Sequence, residues 1–163
     1  MTPFNHVLIT ISTGSIEQAI ASHPRVAEAC VVGVPDTLKG QLPFAFVTLS
    51  SAPHPVSAVP TAELFAEIQK LVRTQVGPIA TLGGIVQGQG MIPKTRSGKT
   101  LRRVLRELLE NAVRGEGAKE VAVPSTVEDN SVVEVARSKI QEYLAEKGDA
   151  HGEVEGFAPK AKL

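Results

Sequence analysis

The stretch Val26–Ser50, VAEACVVGVPDTLKGQLPFAFVTLS, holds two apolar runs on either side of a Pro-Asp pair. VAEACVVGV (Val26–Val34) is rich in β-branched residues and reads as a strand with a buried inner stretch, closed by the turn residues Pro35-Asp36. LPFAFVTLS (Leu42–Ser50) is a second strand, and the intervening PDTLKGQ lets the two pair as an antiparallel ribbon. Before the ribbon, VLITI (7–11) reads as a short strand and STGSIEQAIASH (12–23) as a short helix. Ser15 and Gln18 have capping-box spacing there, and Pro24 enforces a stop.

After the ribbon, SAPHPVSAVP (51–60) is a surface loop. From Thr61 to Val76 the apolar residues Leu64, Phe65, Ile68, Leu71, Val72 and Val76 recur at helical spacing, and Gly77-Pro78 ends the helix. GIVQG (84–88) supplies one more strand. Leu101, Val104, Leu105, Leu108, Leu109 and Ala112 then form the apolar stripe of a helix running to Gly115. Beyond Gly115 the composition shifts to Gly, Glu, Lys and Pro. One amphipathic helix, over about residues 131–146, interrupts it. Its capping box is Ser131 with Glu134, and Val132, Val135, Ala136, Ile140, Tyr143 and Leu144 form its apolar face. The last stretch, GDAHGEVEGFAPKAKL (148–163), is expected to be mobile. The pattern is that of an α+β unit with an extension.

The totals exclude several classes. The 163 residues carry 17 basic and 17 acidic side chains, so the net field draws in neither nucleic acid nor anionic membrane. A single cysteine, Cys30, rules out a disulfide framework and a Cys-rich metal site. It suits a reducing interior such as the cytoplasm. The four histidines have no metal-ligand spacing, so no metal site is expected. No apolar run approaches the roughly 20 residues of a membrane span, and the amino terminus lacks a secretory pattern.

The loop PKTRSGKT (93–100) admits three readings. A phosphate-binding P-loop needs a glycine five residues before Gly98, where this chain has Pro93, which lacks an N–H. The run Lys94, Arg96, Lys99, Arg102, Arg103, Arg106 can track a nucleic-acid backbone, but no aromatic residues accompany it for base stacking. In the third reading Pro93 stiffens the entry, Ser97-Gly98 is flexible, and a helix follows at once. Lys99 is then presented at a loop tip as a point charge suited to an oxygen that gains charge in a transition state. The bland alternative for Lys99 is an ordinary surface lysine.

PKTRSGKTLRRVLREL (93–108) resembles the lysine-bearing motif of AMP-forming acyl-CoA synthetases, in particular the acetyl- and propionyl-CoA synthetase (propionate-CoA ligase) branch of the adenylate-forming superfamily. Residues 12–49 resemble the segment after that family's interdomain hinge, and LVRTQVGPIATL (71–82) its arginine-bearing helix end. VPSTVEDNSVVEVARSKI (123–140) resembles the C-terminal extension of propionyl-CoA-type members. The resemblance runs in family order over roughly residues 12–110. It departs at the start, where the family's Gly-His-Arg and a following aliphatic residue are replaced by Leu8, Ile9, Thr10 and Ile11. Residues 1–11 are accordingly expected to be a divergent lead-in, not the native one, 12–114 the domain, and 115–163 the extension.

The resemblance implies an α+β fold with a small mixed or antiparallel sheet flanked by helices, and a partly disordered C-terminal extension. It implies a mobile lid that swings over an N-terminal adenylation domain, normally in cis. In one pose Lys99 contacts the acyl carboxylate and the α-phosphate of ATP. In the other a different face serves thioester formation with CoA, Arg73 approaching the 3′-phosphate end and Gly14 lying near the pantetheine tunnel. ATP and CoA are then substrates, with magnesium held by the adenylation domain, and the chain alone is expected to be inactive. In the family the matching lysine is also a target of lysine acyltransferases. Ala161-Lys162-Leu163 resembles a peroxisomal address of the Ser-Lys-Leu class, read by an import receptor. Two rival readings are a stand-alone non-catalytic α+β module that binds CoA or a protein partner, and nucleic-acid binding through 94–106.

Overall fold

Strands covered on both faces read as unbroken apolar runs, because odd and even residues are buried alike. The ribbon shows this in the computed structural model, which describes residues 13–36, 40–50, 57–78 and 80–151. Strand β1 (Val26–Asp36) pairs antiparallel with β2 (Gly40–Leu49), setting Cys30 opposite Phe46 and Val32 opposite Phe44. Strand β3 (Gly84–Gln87) lies parallel to β2, from Phe44 opposite Gly84 to Val47 opposite Gln87. The sheet order is β1-β2-β3, so β2 is central and the sheet is mixed.

The ribbon extends past the apolar pattern. Pro35 and Asp36 pair with Gln41 and Gly40, so they continue β1 rather than turning the chain. A proline is compatible with pairing on an edge strand, which β1 is. Residues 37–39 and the strand expected at 7–11 lie outside the described residues.

Among the described residues four helices accompany the sheet in an α+β fold: α1 (Thr13–Ala21), α2 (Ala62–Gln75), α3 (Arg102–Val113) and α4 (Ser131–His151). Two apolar clusters form on opposite faces of the sheet. Val31, Ala45, Val47 and Ile85 pack with Ile16 and Ile20 of α1 and Leu64, Ile68 and Val72 of α2. Their chain neighbours Cys30, Val32, Phe44, Phe46 and Val86 pack with Leu105 and Leu108 of α3 and Ala136, Ile140 and Tyr143 of α4. The period of two along the strands therefore divides the core into two layers. Tyr143 meets the Phe44 ring edge-on, with centroids 5.4 Å apart.

The helix starts differ from the expected capping boxes. Helix α1 begins at Thr13, which puts Ser15 inside its first turn. At α4, Asp129 Oδ1 accepts from the Ser131 amide (2.9 Å) and hydroxyl (2.7 Å), so Asp129 supplies the acceptor. Those bonds hold the Asp129 carboxyl below its ordinary range. Glu134 turns instead to Arg137 Nε at 3.3 Å. Thr61 caps α2, its Oγ1 accepting from the Leu64 amide at 3.1 Å. Helix α4 continues to His151, past the expected end near 146.

Candidate functional site: the Lys99 hairpin

Pro93–Thr100 folds as a closed hairpin. Lys94 and Thr100 form an antiparallel bridge at its base. The Thr95 amide donates to the Lys99 carbonyl (2.9 Å) and the Gly98 amide to the Thr95 carbonyl (2.8 Å). Gly98 has φ +91°, a left-handed conformation that disfavours any side chain. The Thr95 hydroxyl accepts from the Lys99 amide at 3.1 Å and lies 2.9 Å from the Ser97 hydroxyl. Ser97-Gly98, expected to be flexible, is thus part of a hydrogen-bonded turn. The Leu101 amide donates to Pro93 O (2.8 Å) and joins the hairpin to α3.

This geometry answers the P-loop reading. The amides of Thr95, Gly98 and Lys99 are taken up by acceptors within the loop, so they cannot cradle a phosphate. What the loop offers is the side chains of Arg96 and Lys99, both exposed and with no hydrogen bond or ion pair among the described residues.

The basic run around it is less charged than its sequence. Lys94 pairs with Glu28 of β1 at 2.6 Å, Arg102 with Glu17 of α1 at 2.6 Å, and Arg103 with Glu107 at 3.0 Å. Glu17 Oε2 also accepts from the Val31 amide (2.8 Å), and Arg102 Nε donates to Val31 O (3.1 Å). The Glu17 hydrogen bond raises the pKa of Arg102 and keeps it charged.

Gly14 is exposed in the first turn of α1, and Arg73 is exposed in the last turn of α2. Both belong to the α1/α2 layer, whereas Lys99 leads into α3 on the other layer. Two contacts to α1 flank these positions. Arg102, just past Lys99, reaches Glu17 in the middle of α1, while Gln75, just past Arg73, donates to Ser22 beyond the other end of α1 (3.0 Å).

Sequence reading missed Thr95, whose hydroxyl ties the turn together, and the acids Glu17 and Glu28 that neutralise part of the basic run. A threonine shortly before an exposed lysine was the available signal for the first. The acids are distant in sequence and carried none. Among the described residues no three His, Cys, Asp or Glu side chains group to hold a metal ion, and no described helix is long and apolar enough to cross a membrane.

Residues 15–99 match the family described as AMP-binding enzyme C-terminal domain, and the chain belongs to that family. Over 124 residues it is 40% identical to the acetyl-coenzyme A synthetase of Cronobacter sakazakii, covering 76% of this chain and 17% of that protein. The acetyl-coenzyme A synthetase of Escherichia coli gives the same identity and coverage. The chain thus spans under a fifth of the length of the curated relatives it matches. Among solved structures, an acyl-CoA synthetase of Brucella canis matches with a TM-score of 0.50 and 38% identity, over 58% of this chain and 16% of that one. Acetoacetyl-CoA synthetase from Streptomyces lividans matches with a TM-score of 0.59 and 18% identity, over 80% of this chain and 18% of that one. The latter share requires residues beyond Thr100, so the shared fold takes in part of the extension.

Proposed function

We propose that this chain works as the lid domain of a short-chain acyl-CoA ligase, with Lys99 serving the adenylation step. The observation that carries the reading is the exposed Lys99 ammonium on a closed hairpin, at the last residue of the family match. Adenylation joins an acyl carboxylate to the α-phosphate of ATP and releases pyrophosphate. Both reactants are anionic, and the charge on the phosphoryl oxygens must be held as the new bond forms. A fixed cation between them lowers that barrier. Rotation of the lid then withdraws the cation and brings up another surface, on which the CoA thiol displaces AMP. In that second pose Arg73 faces the 3′-phosphate of CoA and Gly14 the pantetheine arm. ATP, CoA and the accompanying magnesium are met chiefly by the adenylation domain, and alone the chain is inactive.

The test mixes the chain with a separately produced adenylation domain of an acetyl-CoA synthetase, or fuses the two in cis. It follows acyl-dependent exchange of pyrophosphate into ATP. Exchange is expected to need both parts and to fall about 100- to 1,000-fold in Lys99→Ala, as for loss of one charge-stabilising donor. Equal activity of Lys99→Ala removes the lysine from the mechanism. Absence of exchange in cis and in trans favours the stand-alone module. Two further features belong to this reading. Lys99 is exposed enough for an acyltransferase, and intact-mass analysis of Lys99→Arg against the wild type checks that site. Ala161-Lys162-Leu163, outside the described residues, is proposed as a peroxisomal address, to be read from a fluorescent fusion with and without it.

A further inference from the structure

A two-stranded hairpin is marginal in water unless a third strand or a packed surface supports it. The arm Lys94–Arg96 turns one set of backbone groups toward Thr100 and another set outward. The outward groups are met by the extension. Glu128 N–H donates to Lys94 O (2.8 Å), Arg96 N–H donates to Thr126 O (3.0 Å), and Thr95 and Val127 form an antiparallel bridge. Val127 is 6% exposed.

This short strand is itself anchored. The Val127 amide closes a turn onto Pro124 O (3.1 Å), and Arg103 Nη2 donates to Ala122 O (3.3 Å). On its far side Asp129 caps α4, whose Ile140 and Tyr143 are buried in the core. A continuous path therefore runs from the core through α4 and residues 126–128 to the arm that carries the Lys99 turn.

We propose that Thr126–Glu128 is a positioning strand for Lys99: it fixes the hairpin so that the ammonium arrives in one orientation. This rests on the reading of Lys99 as the adenylation lysine. Neither the strand nor its role falls within the family match, which stops at Lys99. Substrate binding to the adenylation domain does not depend on the strand. Its loss should accordingly lower kcat of pyrophosphate exchange and leave KM for ATP unchanged.

The experiment uses the full chain. Glu128→Pro removes the donor to Lys94 O, and Glu128→Ala keeps it while removing the same exposed side chain. Amide hydrogen exchange is followed by NMR in the chain alone, and pyrophosphate exchange is followed with the adenylation domain added. In Glu128→Pro the Arg96 amide should exchange about three- to tenfold faster, the equivalent of one net hydrogen bond, while the Val86 and Phe46 amides keep their protection. kcat should fall in step, and Glu128→Ala should match the wild type in both readouts. Should Glu128→Pro fail to fold, Val127→Ala loosens the strand with its donors intact and should show the same pattern. Unchanged Arg96 protection in the folded variants, or an equal loss in Glu128→Ala, overturns the proposal. If Lys99→Ala leaves pyrophosphate exchange intact while Arg96 still loosens in Glu128→Pro, the lysine reading fails and the catalytic role of the strand fails with it. The backbone support would stand.

Discussion

Glu17 and Arg102 meet at the outer edge of β1, where the Val31 amide and carbonyl point away from the sheet. One carboxylate oxygen takes the amide, and the guanidinium takes both the carbonyl and the carboxylate. Arg102 has a side chain 39% exposed, so solvent screens much of the ion pair itself. The larger quantity is the Val31 N–H, fully buried and dependent on Glu17. Glu17→Ala should lower unfolding stability by about 1–3 kcal/mol, whereas Glu17→Gln, which keeps an acceptor oxygen, should cost less. Urea denaturation of the two variants separates these outcomes. At this scale the sequence was least informative. Arg102 sits in a run that looks like a solvated basic patch, and its partner is 85 positions away. Thr95 and Val127 are similarly joined only by the folded backbone. The exposed loop position of Lys99 was legible because its determinants are local: Pro93, Gly98 and the following helix are all within reach of one loop.

Strand β3 and helix α4 show what held and what did not among the elements. The apolar run of β2 and the periodic stripes of α2 and α3 identify themselves, since each buries a face set by its own repeat. That β3 would lie parallel to β2 has no local signal, and neither has its fit under α4. Gly84 carries that fit. A Cβ there would overlap Tyr143 Oη and stand 2.6 Å from Phe44 Cζ, a ring atom held in the core. Gly84→Ala should therefore destabilise the chain by about 1–3 kcal/mol, as overpacking does. Pairing it with Tyr143→Phe, which removes the clashing oxygen, should recover part of the loss in thermal unfolding. The expected ends of β1 and α4 fell short because local rules stop at Pro35 and at the apolar stripe. Ladder pairing and helix propagation carry each element further.

For the molecule as a whole, the two buried acids of the core give a pH dependence of definite sign. Burial pushes the Cys30 thiol from 9.0 to about 12, and burial pushes the Tyr143 hydroxyl from 10.0 to about 12. Both groups keep their protons in the folded chain at pH values where the unfolded chain has lost them. Their contribution is present in full below pH 9 and is lost as pH rises toward 12. The denaturation midpoint should hold steady up to about pH 9 and then decline, with a shallower decline in Cys30→Ala.

Because alternate residues of β1 and β2 feed separate clusters, a side chain buried above the sheet shares few neighbours with one buried below it. Substitutions such as Ile68→Val and Leu108→Met should therefore combine almost additively. The layer that carries Arg73 and the layer that leads from Lys99 can then accumulate change at independent rates. A descendant of this chain could alter the exposed face of one layer while the packing on the opposite side of the sheet stays as it is.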